Sequence, residues 1–308
     1  MDALFVVNPA AGDGRGGERW IKARSLAARL WPEHEVRFTA RPGHGRELAR
    51  EAVLEGVETI VAVGGDGTLG EVVDGFLSAP QERRAAAIAT FPTGSGCDFA
   101  RHACVPRDPE AWAAAMAAAL AAGKRKRLDA GRATYAGRDG AARTRHFLNV
   151  AALGLAGDVA VGVERRGKPL GGTLTYLLEG ARAIAGARPR RMRLIVDGRE
   201  EPPAEYHLVA AANTSTIGGG MRLAPGADAS DGRLDLLTVG ALSKWELLKL
   251  LPRIYSGGHV GAPGVDLRRV RRVEVVSDES LPLNLDGDAD GATPAAFEVL
   301  PGALAFLL

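Results

Sequence analysis

The residues with the clearest chemical potential form a glycine turn, Gly64, Gly65, Asp66, Gly67 and Thr68. An apolar run precedes this turn and a run of helical character follows it. A strand, a glycine turn and a helix in that order bring bare backbone N–H groups and a helix N-terminus to one point, where phosphate oxygens bind well. Asp66 adds a carboxylate that can hold a cation, and Thr68 adds a hydroxyl that can bond to a phosphate. The turn therefore predicts nucleotide phosphate chemistry.

Three further loops carry polar groups that could take part in such chemistry. The segment 92–101 combines two glycines with the hydroxyl of Ser95 and the carboxylate of Asp98. The segment 224–235 places several acids around a tight turn, which suits either a hard cation or an ordinary Asp-Gly hairpin. The segment 285–291 offers carboxylates that suit either a general base or a surface hairpin. On the residues alone, the last two segments are more typical of hairpins.

Strands and helices, which must position these loops, alternate along the first part of the chain. The predicted strands are 3–7, 35–39, 59–63 and 86–91, and the predicted helices are 17–30, 46–54, 71–77 and 109–122. Strands alternating with helices predict a parallel, doubly wound α/β sheet, in which ligands bind beyond the carboxyl ends of the strands. The four loops at that edge begin at Asn8, Thr39, Gly64 and Pro92.

After residue 123 the sequence is typical of strands and turns, with one predicted helix at 173–185. Apolar runs at 146–151, 206–213, 234–239 and 270–276 each predict one strand, and Asp197-Gly198 predicts a hairpin after a strand at 193–196. We therefore expect an N-terminal α/β domain at 1–125 and an all-β domain at 126–308. The sequence does not decide which of the two domains contains the last strand, at 297–300 or 303–308.

The composition limits the classes of partner. A net charge of only +2 argues against nucleic acid, although basic clusters at 124–127, 188–193 and 268–272 suit either a solvated surface or anionic lipid. The two cysteines, Cys97 and Cys104, fit a reducing cytoplasm better than a disulfide framework. No signal peptide is evident, and the most apolar helical run, 111–122, is shorter than the ~20 residues that span a bilayer. We expect a cytoplasmic protein that contacts a membrane peripherally.

The loops, taken in this order, resemble those of the diacylglycerol kinase catalytic family, which includes soluble bacterial lipid kinases and the sphingosine and ceramide kinases. The resemblance extends over nearly the whole chain. It is carried by the motifs at 8–12 (NPAAG), 43–45 with Thr39, 64–72, 92–101, 149–154, 218–225, 231–235 and 286–288. The GGDGT turn alone is shared with NAD kinases and phosphofructokinases, so the combination of motifs carries the specificity.

The resemblance implies an ATP-binding α/β domain, a β-sandwich domain and an active cleft between them. The residues that match the family's nucleotide motifs are Asn8, Pro9, Ala10, Ala11, Gly12, Thr39, Gly64, Gly65, Asp66, Gly67, Thr68, Glu71, Ser95 and Asp98. Asp66 is expected to orient Mg²⁺ or the γ-phosphate. Asp288, assisted by Asp286, is expected to accept the proton of the substrate hydroxyl.

The resemblance also implies a Mg²⁺ site at the turn around Asp231. The Asp231 side chain is expected to bind the ion, while Asp228 and Arg233 contribute mainly backbone carbonyls. Two positions depart from the family pattern: Cys97 replaces an asparagine, and Asp288 replaces a glutamate. The first departure removes a polar side chain near the nucleotide, and the second shortens the candidate base by one methylene.

The implied function is transfer of the γ-phosphate of ATP to the hydroxyl of diacylglycerol or a related lipid alcohol. Two alternatives remain open, namely an NAD kinase-like enzyme and a catalytically weak nucleotide- or lipid-binding relic. A lipid acceptor also requires transient contact with a membrane surface, for which the basic clusters and the apolar residues at 170–178 are candidates. The family resemblance makes a homodimer plausible.

Overall fold

The computed structural model describes residues 1–167 and 172–308, and the chain divides into two compact units. Unit 1 comprises residues 1–128 and 302–308, and unit 2 comprises residues 129–301. The chain therefore returns to unit 1 after it has built unit 2. Residues 168–171, at the start of the apolar segment considered for membrane contact, lie outside the described residues.

Unit 1 has the predicted alternation of strands and helices. Its strands are β1 (Ala3–Val7), β2 (His34–Phe38), β3 (Thr59–Gly64) and β4 (Ala87–Pro92). Its helices are α1 (Ala11–Gly14), α2 (Gly16–Leu30), α3 (His44–Glu55), α4 (Asp66–Ser78), α5 (Asp98–His102) and α6 (Pro109–Ala121). The short helices α1 and α5 lie in segments whose sequence reads as loops.

The strands of unit 1 form a parallel sheet in the order β2-β1-β3-β4. The end of β15 (Asp288–Phe306) adds a further parallel strand, because Phe306 pairs with Ile88 of β4. Val7 pairs with Val63, and Gly64 pairs with Pro92. Since these neighbouring strands end in register, the loops that follow them emerge at one edge of the sheet.

Helices cover both faces of this sheet. On one face, Phe5 and Val61 pack with Trp20 of α2 and Trp112 of α6 in a single apolar cluster. The Trp112 indole N–H also donates to the Thr90 carbonyl at 2.9 Å, so this large side chain is buried without an unsatisfied donor. On the other face α3 packs against α4 and β1. The predicted doubly wound arrangement is thereby confirmed.

Unit 2 is rich in β-strands, and its described residues also form three helices. Its strands are β5 (Lys126–Ala136), which begins in unit 1, β6 (Ala142–Phe147), β7 (Val150–Gly154), β8 (Arg190–Val196), β9 (Arg199–Glu200), β10 (Ala204–Ala212), β11 (Leu234–Gly240), β12 (Val265–Val270), β13 (Arg272–Ser277), β14 (Pro282–Leu285) and most of β15. Its helices are α7 (Leu155–Arg166), α8 (Gly172–Gly186) and α9 (Lys244–Arg253). The predicted helix at 173–185 is confirmed by α8. The prediction of strands and turns elsewhere was wrong at α7 and α9.

The strands of unit 2 build an antiparallel sheet in the order β12-β11-β10-β7-β14-β15, and β8 and β13 pair beside it. The central strand β7 is buried on both faces. Ala151 and Leu153 join one apolar cluster, whereas Val150 and Ala152 join a second cluster that includes residues of α8 and α9. Burial on both faces explains why this strand is a continuous apolar run instead of an alternating one.

Three short-range predictions have different outcomes in unit 2. Asp197 and Gly198 both adopt left-handed backbone angles between β8 and β9, as a tight hairpin requires, so that prediction is confirmed. The predicted single strand at 146–151 was wrong, because β6 ends at Phe147 and β7 begins at Val150. The run at 270–276 likewise divides between β12 and β13.

Within residues 1–167 and 172–308, no helix is both long enough and apolar enough to cross a bilayer. The Ala-rich helix α6 has 13 residues and therefore extends about 20 Å, whereas the hydrocarbon core is about 30 Å thick. Its apolar side chains serve the core of unit 1, where Trp112 and Met116 are buried.

Cys97 is part of the core of unit 1. Its side chain is 4% exposed, its φ of +50° is left-handed, and its thiol donates to the Gly94 carbonyl at 3.3 Å. Burial, and next the charge of Asp66, raise the pKa of this thiol to about 11. The substitution of cysteine for asparagine at this position thus places a thiol in the core.

We expect the two cysteines to differ strongly in reactivity. Iodoacetamide at about pH 8 should alkylate the exposed Cys104 within minutes and leave Cys97 unmodified, because thiolate is the reactive species and Cys97 stays protonated. Intact mass and peptide mapping would measure this difference. Denaturant should make both thiols react, and equal rates in the native protein would contradict the assigned burial.

Candidate functional site

The glycine turn of unit 1 is held against the loop that follows β1. Strand β3 ends at Gly64 and helix α4 begins two residues later. A Cβ atom on Gly64 would lie 2.3 Å from the Thr68 hydroxyl oxygen, so only glycine allows the first turn of α4 to fold back this closely. The Asn8 side-chain amide donates to the same Thr68 oxygen at 3.0 Å. The loops after β1 and β3 are therefore joined.

The carboxylate of Asp66 ties the glycine turn to the loop after β4. Its two oxygens accept the backbone N–H groups of Asp98 and Phe99, at 2.8 and 3.0 Å. The two loops also touch through their backbones, because a Cβ on Gly94 would lie 2.5 Å from the Cα of Gly65. Asp66 therefore caps α5 and fixes the distance between the two glycine-containing loops.

The carboxylate of Glu71 secures the loop after β2. Its oxygens accept the N–H groups of Gly43 and Gly45, at 2.7 and 2.8 Å, at the start of α3. Thr39, which begins this loop, donates its N–H to the Val7 carbonyl at 2.9 Å. Glu71 is thus engaged with backbone groups, and in this arrangement it orders the loop that contains Thr39.

The remaining residues predicted to bind nucleotide line the same edge. A Cβ on Gly12 would lie 2.3 Å from the Thr93 carbonyl oxygen, which places the 8–12 loop against the loop after β4. The side chain of Asp98 is buried and pairs with Arg101 at 2.5 Å. The predicted residues with exposed surface are Pro9, Ala10, Gly67 and Ser95. Contact of this edge with a nucleotide stays a prediction.

In unit 2, Asp286 and Gly287 form a two-residue hairpin between β14 and β15. Leu285 pairs with Asp288 across this turn, and both turn residues have left-handed φ angles of +50° and +100°. The Asp286 carboxylate accepts three backbone N–H groups, those of residues 148, 149 and 150, at 2.7 to 2.9 Å. This interaction separates β6 from β7 and explains why the predicted strand at 146–151 is broken.

Asp288 stands at the exposed start of β15, directly after the hairpin. The turn below it is fixed by the buried Asn284, whose side-chain oxygen accepts the Gly287 N–H at 2.8 Å. A residue of α8 that the sequence analysis missed also lies at this turn, because a Cβ on Gly287 would be 3.0 Å from the Tyr176 hydroxyl. In the sequence Tyr176 is one of several hydroxyl residues of this segment, together with Thr173 and Thr175, so it was not distinguished from them.

The turn predicted to bind Mg²⁺ is closed by its own aspartates. An Asp228 carboxylate oxygen accepts from the Ser230 N–H and hydroxyl, and an Asp231 oxygen accepts from the Arg233 N–H at 2.9 Å. The other Asp231 oxygen lies 3.6 Å from Arg269. Across the described part of the chain, no three His, Cys, Asp or Glu side chains come together as a metal site.

Buried polar groups connect this turn to the hairpin at Asp286. The Asp129 carboxylate accepts the Gly232 N–H at 2.7 Å. The Asn213 amide donates to the carbonyls of Asp129 and Leu148, at 3.1 and 2.8 Å, and the Leu148 N–H donates to Asp286. Asp129 and Asn213 were not predicted from the sequence. Asp129 lies in a strand of mixed polar and apolar residues, and Asn213 lies just after an apolar run, so neither was distinguished by its neighbours.

Both units match models of known protein families. The family model for the diacylglycerol kinase catalytic domain matches residues 2–133, and the model for the YegS C-terminal NAD kinase beta sandwich-like domain matches residues 149–308. A diacylglycerol kinase of Mycobacterium tuberculosis is 31% identical over 98% of this chain and 93% of its own length.

Solved structures share the fold. The crystal structure of a diacylglycerol kinase from Bacillus anthracis superposes with a TM-score of 0.70 at 20% identity and covers 99% of this chain and 96% of that one. An NAD kinase from Archaeoglobus fulgidus in complex with ATP superposes with a TM-score of 0.54 at 18% identity and covers 99% and 92%. The two family models and the relative from Mycobacterium tuberculosis show that the chain belongs to the diacylglycerol kinase catalytic family.

Proposed function

We propose that this protein is an ATP-dependent lipid kinase that phosphorylates the hydroxyl of diacylglycerol or a related lipid alcohol. The observation that carries the proposal is the interlocked set of glycine loops at the carboxyl edge of the unit 1 sheet, in a chain of this family. Its relative from Mycobacterium tuberculosis is a diacylglycerol kinase by name. The family match favours a lipid acceptor.

The loops of unit 1 suit the binding of ATP phosphates. Phosphoryl transfer depends on positioning and charge stabilisation more than on covalent help from the protein. The 64–68 turn supplies backbone N–H groups and the N-terminus of α4, and the loop after β4 supplies Ser95. In this proposal Asp66 fixes the spacing of these two loops, and Asn8 and Glu71 hold their neighbours in place.

For proton removal, we assign the general base to Asp288 and a positioning role to Asp286. Asp288 is exposed and stands at a rigid hairpin, so its carboxylate can approach a substrate hydroxyl. The Asp286 oxygens already accept three backbone N–H groups, which suits a residue that orients its neighbour. Asp288 keeps the carboxylate of the family motif's glutamate and is one methylene shorter, so in this proposal the substrate hydroxyl comes closer to the turn.

The residues at the Asp231 turn fit a Mg²⁺ ion that keeps most of its water. Mg²⁺ is usually held by one or two carboxylates and several waters. The Asp231 side chain is 21% exposed. Burial raises the pKa of the neighbouring Asp235, and the negative charge of Asp231 raises it further. Asp231, with backbone carbonyls of Asp228 and Arg233, would hold the ion. When bound, the ion would supply positive charge that stiffens this part of unit 2.

A second candidate function is phosphorylation of NAD. The fold shared with the Archaeoglobus NAD kinase favours it, although the loop after β4 and the turn at Asp231 resemble lipid kinases.

A lipid acceptor also implies a cytoplasmic protein that contacts a bilayer transiently. On the family resemblance, we include a homodimer in the proposal.

We expect radiolabelled phosphate to pass from ATP to a lipid when the full chain is incubated with Mg²⁺ and diacylglycerol in mixed micelles. The product should extract into organic solvent and comigrate with phosphatidic acid on thin-layer chromatography. Chelation of Mg²⁺ should abolish the signal. Label that appears only in NADP⁺ when NAD replaces the lipid would favour the second candidate. Tight ATP binding without label in either acceptor would indicate the non-enzymatic relic.

We expect Asp288→Asn to lower kcat by a factor of about 10² to 10⁴ with little change in KM for ATP, because the amide cannot accept the substrate proton. Thermal unfolding should stay near that of the unaltered protein, since Asp288 is exposed at a strand end. Asp266→Asn, at an exposed carboxylate of β12, is the matched control and should leave activity intact. Full activity of the Asp288 variant would remove Asp288 from the mechanism.

We expect Asp66→Asn to weaken ATP binding and to lower the melting temperature together. An asparagine side chain has only one oxygen, so its NH₂ group would face one of the two backbone N–H donors, those of Asp98 and Phe99. Each charge-assisted hydrogen bond that is lost costs about 1–3 kcal/mol. Calorimetric titration with ATP and thermal unfolding would measure the two effects. Unchanged stability combined with lost activity would instead assign Asp66 directly to the metal or γ-phosphate.

A further inference from the structure

Helix α9 is apolar on its outer face as well as on its inner face. Leu247 is buried, and it lines an apolar cavity of about 80 Å³ together with Leu250, Leu251 and Ile254. On the opposite side of the helix, Trp245 is 75% exposed and Leu248 is 38% exposed. A helix needs only one apolar stripe to pack on a core. The outer residues Trp245 and Leu248 are therefore available to something other than the core of unit 2.

Helix α8 continues this apolar surface. The Lys244 ammonium group donates to the Ala185 carbonyl at 2.5 Å, and a Cβ on Gly180 would lie 3.5 Å from Leu251. Residue 180 of α8 lies beside residue 251 of α9, and residue 185 lies beside residue 244. The two helices are therefore antiparallel neighbours. Leu174 and Leu178 are also exposed, in the first half of α8, and this register places them toward the C-terminal end of α9.

Basic groups flank the apolar residues. Within the described residues, neither Lys249 nor Arg253 has a carboxylate at ion-pair distance. Glu246 is the acid of this helix, and it is engaged in the capping box with Ser243. The charge around Trp245 and Leu248 is therefore positive.

Two of the three basic clusters considered in the sequence analysis differ in this respect. In the segments 188–193 and 268–272, most arginines are paired with acids: Arg188 with Glu279, Arg190 with Asp158, Arg193 with Glu200, Arg268 with Glu201, and Arg272 with Glu298. Exposed, mutually neutralised pairs attract an anionic surface weakly. Helix α9 combines unpaired cations with exposed apolar side chains, which those segments lack.

We propose that the outer surface of α8 and α9, formed by Leu174, Leu178, Trp245, Leu248, Lys249 and Arg253, docks on a bilayer that contains anionic lipid. Tryptophan and leucine enter the interfacial region while lysine and arginine remain at the headgroups. A second copy of the chain fits this surface poorly, because a symmetric contact would place Lys249 and Arg253 against like charges.

Part of the docking surface lies on α8, the helix whose Tyr176 reaches the hairpin that precedes the candidate base. A Cβ on Gly287 would lie 3.0 Å from the Tyr176 hydroxyl, and the exposed Leu174 and Leu178 lie two residues from Tyr176, on another face of the same helix. A lipid that reaches Asp288 would then come from a bilayer docked near this hairpin. This connection rests on the proposed lipid kinase function, whereas the docking itself does not depend on catalysis.

Tryptophan fluorescence offers a direct test, because Trp20, Trp31 and Trp112 are buried and only Trp245 can meet lipid. We expect the full chain to bind vesicles of phosphatidylcholine with about 30% phosphatidylglycerol, with a blue shift of emission and quenching by brominated acyl chains. Trp245→Phe should still bind but lose both signals. The absence of any blue shift or quenching in the unaltered protein would overturn the proposal.

Matched variants separate docking from folding and from catalysis. Trp245→Ala with Leu248→Ala should weaken vesicle binding about tenfold or more, and Lys249→Glu with Arg253→Glu should weaken it at least as much. Ile21→Ala removes a side chain of unit 1 that is 60% exposed and should change nothing. All variants should retain native circular dichroism and full activity on lipid dispersed in detergent.

The outcomes for docking and for the kinase function are distinguishable. Vesicle binding that depends on Trp245 and Leu248 supports docking even if no lipid is phosphorylated, in which case only the proposed function fails. Equal vesicle binding by the double alanine variant and the unaltered protein contradicts docking, whatever the activity. Loss of a dimer in that variant, without any effect on vesicle binding, would show that the surface serves a second copy and would also overturn the proposal.

Discussion

The loops of the candidate site are held by carboxylates that accept backbone N–H groups. Asp66 and Glu71 do so in unit 1, and Asp129 and Asp286 do so in unit 2. Loops cannot satisfy their own backbone donors as helices and sheets do, so each loop needs an acceptor from elsewhere. A charged acceptor forms shorter and stronger bonds than a neutral one, at about 1.5–3 kcal/mol each. The geometry of the site depends on these contacts more than on apolar packing.

This arrangement changes the roles that we assign to the acids of this chain's glycine turn and hairpin. An acid in a glycine turn suggests a metal ligand, and an acid beside a candidate base suggests a second base. Yet the oxygens of Asp66 and Asp286 are occupied by backbone donors, whereas Asp288 is exposed at a strand end. We therefore separate the residues that position the site from the one that is placed to meet a substrate. Asp129 and Asn213 extend the positioning group, because they connect the Asp231 turn to the hairpin at Asp286.

The sequence was sufficient where structure is determined locally. The alternation of unit 1 and the Asp197-Gly198 hairpin both follow from neighbouring residues, and both are confirmed. Long-range partners could not be predicted, since Asp286 lies about 137 residues from the amides it binds and breaks an otherwise continuous strand pattern. Helix α9 was missed although the sequence contains its signals. Ser243 and Glu246 form a capping box, and Leu247, Leu250, Leu251 and Ile254 recur at helical spacing. Exposure of Trp245 has no signature in the sequence.

The long strand β15 has a consequence for the order of folding. It begins at the candidate base in unit 2 and ends as the strand that borders β4 in unit 1. During synthesis, β4 must keep an unpaired edge until residue 306 has been made, well over two hundred residues later. An open strand edge is a site for misassembly. The α/β unit therefore cannot complete its sheet before unit 2 has been synthesised.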